Sequence, residues 1–229
     1  MSAIASNLQA VQARIKQAAI KAGRLPESIA LLAVSKTWPL ASVITAADAG
    51  QRAFGENYVQ EGVDKTIATV HRQLCWHFIG PLQSNKTRQV AEHFDWVHSI
   101  ERLKIAERLS AQRPPRLTPL QVCLQVNVSG EASKSGCAPS EAPALAKAIS
   151  QLPGLTLRGL MAIPEPADDY AAQCAPFRHL REIYLELQAS GLPLDTLSMG
   201  MSHDLEAAIA EGATIVRIGT AIFGERNYA

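Results

Sequence analysis

A lysine at the end of an apolar run is the first residue in this sequence whose position invites chemistry. In LLAVSKTWPL (31–40), four apolar residues lead to Ser35 and Lys36, and Pro39 stops the run. An amine there is either a solvated strand-end cation with its stem along apolar surface, or a nucleophile at the mouth of a site. Taken alone, the first reading is the better one. A second group lies near the other end of the chain. In SMGMSHDLEAAIAEG, Ser202 stands where a helix begins, and a helix N-terminus offers unpaired N–H groups and the positive end of a dipole. In TIVRIGTAIFG, Gly219 and Thr220 follow a β-rich run, where glycine lets the backbone approach a ligand and threonine adds a hydroxyl. Ser202 by itself is a plain N-cap, but with Gly219 and Thr220 it makes an anion cradle.

An amine and an anion cradle sharing one mouth describe a site for a phosphorylated aldehyde. Pyridoxal 5′-phosphate is the cofactor of that kind: a lysine forms its Schiff base and backbone amides hold its phosphate. Arg217, two residues before Gly219, is placed to reach the pyridine nitrogen. A barrel that binds another phosphorylated metabolite, with Lys36 structural, remains an alternative at this point.

Other chemistries find less support. Of the carboxylates only Glu56 directly follows a strand-like run, so a carboxylate pair is not expected. His71, His77, His93 and His98 show no metal-ligand spacing and read as ordinary surface or strand-end histidines, so no metal is expected. Ser198, in LSMGMS, lacks the flanking glycines of a nucleophile elbow.

These residues depend on elements that bring them together. Ile4, Leu8, Val11, Ile15, Ala18 and Ala19 recur at helical spacing, and Gly23 closes that opening helix. Short apolar runs then appear at 29–35, 52–54, 76–79, 96–100, 120–127, 155–163, 196–199 and 214–218. Helical stretches separate them at 40–49, 59–70, 85–93, 101–112, 140–151, 170–190 and 203–211. Eight strand–helix repeats in this length are the number that closes a (β/α)8 TIM barrel, here with an extra N-terminal helix. A doubly wound open sheet also alternates, but no G-x-G-x-x-G follows the first strand. In 120–127, Leu120, Val122, Leu124 and Val126 suit the helix side, while Gln121, Cys123, Gln125 and Asn127 are expected to face the lumen. No linker or shift in composition marks a boundary, so one domain over 1–229 is expected.

The chain has 229 residues, 47% hydrophobic, with a net charge of +1, which draws it neither to nucleic acid nor to an anionic membrane. No apolar run is long enough to cross a bilayer, and the N-terminus has no signal-peptide core. Cys75, Cys123, Cys137 and Cys174 are scattered as in a reducing compartment, so a cytoplasmic protein is expected.

Taken together, AVSKTWP, FGENYVQE, WHFIGPLQSNK, GLMAIPEP and LSMGMSHDLEAAIAEGATIVRIGTAIFGER resemble the pyridoxal phosphate homeostasis proteins, the YggS/PROSC family. That family is similar to the N-terminal barrel of alanine racemase and carries pyridoxal phosphate on the lysine of AVSKT, here Lys36. The alanine racemase likeness implies that Ser202, Gly219 and Thr220 hold the phosphate and that Arg217 faces the ring nitrogen. It also implies that Asn57, in the GEN motif, contacts the cofactor. Lys134 matches a second lysine of the family and reads as a solvated loop residue. Trp38 and Ala213 depart from residues frequent in relatives without touching the implied contacts.

Racemisation needs an acid/base on each face of the substrate α-carbon. Alanine racemase supplies the second from a further, β-rich domain, and this chain ends just after the eighth strand. Tyr58, Tyr170, Tyr184 and Tyr228 fall on helices, loops or the tail. The expectation is therefore a monomeric protein that stores, buffers or delivers the cofactor to apo enzymes that need it, with effects on amino-acid and keto-acid balance. The alternative is a small pyridoxal phosphate enzyme such as a racemase.

Overall fold

In a computed structural model of the protein, residues 2–130 and 135–225 are described, so Lys134 and Tyr228 lie outside the described residues. Eight parallel strands pair in chain order, and the last returns to the first to close a barrel. They are β1 (Ala30–Val34), β2 (Ala53–Glu56), β3 (Cys75–Phe78), β4 (Trp96–Ile100), β5 (Leu120–Gln125), β6 (Leu155–Met161), β7 (Thr196–Ser198) and β8 (Ile215–Ile218). Helix α1 (Ala3–Lys21) precedes the barrel. Then α2 (Leu40–Asp48), α3 (Val59–Ala68), α4 (Thr87–His93), α5 (Leu103–Gln112), α6 (Ala142–Ser150), α7 (Tyr170–Ala189) and α8 (Leu205–Ala210) follow the strands in turn. A one-turn helix, α9 (Thr220–Phe223), follows β8. The expected (β/α)8 barrel with its leading helix is present, and each expected strand run overlaps a strand.

The two faces of each strand explain the closure. On β1, Ala33 joins the main core under the helices, whereas Leu32 and Val34 meet Ile79 and Ile215 in a small cluster of their own inside the barrel. On β5, Val122 and Leu124 belong to the main core. Cys123 is fully buried outside that core, and Arg217 acts on it from the lumen side. Strand β5 ends at Gln125 instead of reaching Asn127: the Val126 N–H still reaches the Met161 carbonyl at 2.9 Å, while Val126 also pairs with Cys137 in an isolated bridge.

Helix α1 does more than cover apolar surface. The Ser2 hydroxyl accepts the Ala5 N–H at 3.2 Å and caps it, and Leu8, Val11, Ile15, Ala18 and Ala19 are buried. Each large aliphatic so buried is worth about 1.5–3 kcal/mol. The polar side reaches the C-terminal loops. Arg14 grips Glu206 through two N–H···O bonds (2.5 and 2.6 Å) and donates to the Ser202 carbonyl at 2.8 Å, while the Asn7 amide donates to the Ile222 carbonyl at 3.0 Å.

Candidate functional site

At the C-terminal ends of the strands lies a cavity of about 230 Å³. Lys36, Asn57, Ser202, Arg217, Gly219 and Thr220 all line it, with Val34, Ile79, Ile163, Met201 and His203. The barrel thus brings together all six residues singled out in the sequence, from β1, β2, β7 and β8. Among the described residues, the lining holds two cations, Lys36 and Arg217, and no carboxylate. The volume lies at the small end of ligand pockets and suits one small ring with an anionic arm.

Lys36 follows β1 in a tight turn. Ser35 and Thr37, its neighbours, are both tied to α3. The Ser35 carbonyl accepts from Lys65 Nζ at 2.8 Å, and the Thr37 N–H donates to Glu61 Oε1 at 2.7 Å. Lys65 also donates to Glu61 Oε1 and to Glu56 Oε1, each at 2.7 Å, so all three N–H bonds of its ammonium are used. The Ser35 hydroxyl donates to Glu56 Oε1 at 2.6 Å. Glu56 therefore does not open onto the site. It is the last residue of β2 and fully buried, and burial raises its carboxyl above the usual range against the pull of Lys65 and Ser35. Thr37 sits at φ +66°, a left-handed backbone that costs a β-branched residue about 1–3 kcal/mol.

Asn57 continues from Glu56 into the cavity wall, and its Oδ1 is buried without a hydrogen-bond partner. The wall is tight behind it: a Cβ on Gly80 would strike the Asn57 backbone, so only glycine fits there. The Ser99 hydroxyl donates to the Gly80 carbonyl at 2.6 Å and fixes that approach.

The anion side corrects one expectation. Ser202 does not cap a helix. It lies in a turn before α8, whose N-cap is Asp204, and the Asp204 carboxylate accepts the Met201 N–H at 2.6 Å. The other two residues of the expected cradle lie at the start of α9. Gly219 is its N-cap, Thr220 is its first residue, and the leading N–H groups of a helix have no partner within it. Gly219 is small for a second reason: a Cβ there would sit 3.2 Å from the Val34 carbonyl oxygen, pressing β8 off β1.

Arg217 projects into the lumen from β8, buried among carbonyls. It donates to the Ser198 carbonyl (2.6 Å), the Ser198 hydroxyl (2.8 Å) and the Ala162 carbonyl (2.9 Å). Burial lowers its pKa to about 10, opposed by Asp204, and leaves a cation at neutral pH. Behind it runs a chain through the lumen. Ser198 Oγ lies 2.7 Å from His98 Nδ1, His98 Nε2 lies 2.9 Å from His77 Nδ1, and His77 Nε2 lies 3.3 Å from Cys75 Sγ. Arg217 donates to Ser198 Oγ and leaves its hydroxyl hydrogen free, and where that hydroxyl donates to His98 Nδ1 the chain runs onward from His98 Nε2–H to His77 Nδ1. Burial drives His77 to about pKa 3, and burial with the charges of His77 and Arg217 drives His98 well down. Two of the four histidines read as surface or strand-end residues are thus neutral members of a buried chain. A hundred residues separate His98 from Ser198, and the only signal of their meeting is that both point inward from strands.

Fold and site together define a class: (β/α)8 barrels that present a lysine after the first strand beside a glycine–threonine helix start after the last. Residues 2–227 match the family described as alanine racemase, N-terminal domain. The pyridoxal phosphate homeostasis protein of Pseudomonas aeruginosa is 65% identical over 228 residues, covering 100% of this chain and 98% of that one. Its Escherichia coli K12 namesake is 56% identical over 235 residues, covering 100% and 99%. PipY of Synechococcus elongatus, solved with PLP bound, superposes with a TM-score of 0.84 at 40% identity, over 96% of this chain and 100% of that one. An alanine racemase from Corynebacterium glutamicum shares the fold at TM-score 0.73 and 17% identity, over 98% of this chain and 61% of that one. The chain belongs to the alanine racemase N-terminal domain family and, within it, to the pyridoxal phosphate homeostasis proteins.

Proposed function

We propose that this chain, acting as one barrel domain, binds pyridoxal 5′-phosphate through a Schiff base on Lys36. In this reading it stores, buffers or delivers the cofactor in the cytoplasm, as a monomer and without turnover. The observation that carries the proposal is the cavity lining, which among the described residues has two cations, a hydroxyl-bearing turn and a helix start, and no carboxylate. The residues fit the group. Asn57 Oδ1 is a buried acceptor in need of a donor, and Gly219 leaves the backbone bare beside α9. The names of the relatives and PipY's bound PLP support the same ligand.

When bound, the cofactor supplies a conjugated electron sink. Lys36 holds its aldehyde carbon. Ser202, Gly219 and Thr220 take the phosphate with hydroxyls and N–H groups. The Arg217 cation donates to the ring nitrogen and disfavours its protonation, which weakens the sink. Among the described lining residues, His203, exposed at the rim, is the further side chain of acid/base type. His203 alone favours the enzyme reading.

Loaded protein incubated with L-amino acids is expected to give no D-isomer above the Lys36→Ala background. D-isomer that disappears in His203→Ala would replace the carrier with a racemase. Cofactor passing to an apo enzyme faster than it is released into buffer marks delivery, and passage at the release rate marks buffering.

A further inference from the structure

The turn that carries Lys36 places one residue in a conformation its own side chain opposes. The Trp38 N–H donates to the Ser35 carbonyl at 3.1 Å, closing a four-residue turn with Lys36 and Thr37 at its centre. Thr37 has φ +66°, and Lys36 is not among the residues with positive φ. That is the pattern of a type II turn, whose third position belongs to glycine. A β-branched threonine stays there only if its surroundings hold it.

Those surroundings are specific. Glu61 Oε1 accepts the Thr37 N–H, and Lys65 donates to the Ser35 carbonyl, so the residues on both sides of Lys36 are pinned to α3. Lys65 lies between Glu61 and Glu56, which keeps both carboxylates in place, and the Ser35 hydroxyl closes the network on Glu56. None of these three charged side chains lines the cavity. A network that served only to join α3 to the barrel would not need to converge on the two residues that flank one lysine.

We propose that Glu61, Lys65 and Glu56 are positioning residues for Lys36: they hold Ser35 and Thr37 in the strained turn that presents the amine to the cavity. The inference rests on the reading that Lys36 carries the cofactor. Without the clamp the turn relaxes, and the competent conformation is populated only in part, so apparent affinity falls by that fraction.

The test uses the full chain and pyridoxal 5′-phosphate, following the borohydride-fixed label on Lys36 by peptide mapping against cofactor concentration. Glu61→Ala is expected to weaken apparent affinity by roughly tenfold to a hundredfold, the population equivalent of left-handed strain. Glu61→Gln, which keeps an acceptor for the Thr37 N–H, should lie near wild type. Thr37→Gly removes the strain, so the Thr37→Gly/Glu61→Ala pair should recover most of the loss. A purely structural role predicts no such rescue. Wild-type affinity in Glu61→Ala, or a loss that Thr37→Gly leaves unchanged, overturns the clamp. Hydrogen exchange at the Thr37 amide in cofactor-free protein gives a readout that does not depend on the ligand. Slow exchange that Glu61→Ala accelerates supports the clamp, and rapid exchange in wild type sinks it. A wild-type chain that takes no label on Lys36 defeats the cofactor reading instead, and the exchange result still judges the clamp.

Discussion

The amine side and the expected anion side of the cavity lie at the ends of neighbouring strands, β1 and β8, but are held by different physics. Lys36 sits on a strained turn braced from behind by buried charges, Glu56 and Lys65, with Glu61 at their edge. Ser202, Gly219 and Thr220 sit on turns braced from outside by α1, through an Arg14–Glu206 pair exposed to solvent on both partners. Between them Arg217 is held by a chain of neutral groups in the lumen. A nucleophile must be aimed, so its support is rigid and costly to break. Backbone donors of the kind proposed to hold the phosphate tolerate a looser brace, because they are set by the local fold.

Breaking each brace in turn should reproduce that ranking. Lys65→Met leaves Glu56 buried without its cation, and it should cost about 3–5 kcal/mol in unfolding free energy. Glu56 is already raised by burial, so the folded variant binds a proton more readily than the unfolded chain. Its deficit against wild type should therefore shrink as pH falls through the raised Glu56 pKa, and denaturant melts across pH would read it. A constant deficit would place the damage outside Glu56.

Ser198→Ala strands His98 Nδ1 and one Arg217 donor, for about 1–3 kcal/mol by thermal melt. The same chain should show the opposite pH sense. His77 stays neutral when folded, down to about 3 against an ordinary 6.5, so the unfolded state takes up the proton first. Stability should fall as pH drops through that window, and His77→Gln should make the slope shallower by one proton.

The smallest effect belongs to Arg14→Ala. An exposed pair, even a bidentate one, is worth up to about 1 kcal/mol, so cofactor affinity should fall by no more than about fivefold. Titrations in rising salt should erase the difference. An effect larger than that of Ser198→Ala would invert the comparison.

The barrel was legible because each strand is a short apolar run closed by proline, glycine or a polar residue, and eight such runs leave few other folds. The lining was legible because Lys36, Arg217, Gly219 and Thr220 sit at or just past strand ends, where a barrel collects its chemistry. The clamp was hidden. Lys65 reads as an ordinary helix lysine, and the carbonyl it binds lies thirty residues away. The lumen chain was hidden for the same reason, since Cys75, His77, His98 and Ser198 come from three strands. Ser202 was misplaced at a helix start because α8 opens two residues later, at Asp204, whose carboxylate turns back to the Met201 N–H instead of capping the helix. Helix α9 was missed because one turn has no periodicity to read.

The most direct test is the site of covalent attachment. Purified protein is loaded with pyridoxal 5′-phosphate, reduced with borohydride, digested and mapped by mass spectrometry. One label on Lys36, lost in Lys36→Ala, is the predicted result. A label elsewhere, or one that survives in Lys36→Ala, would contradict it.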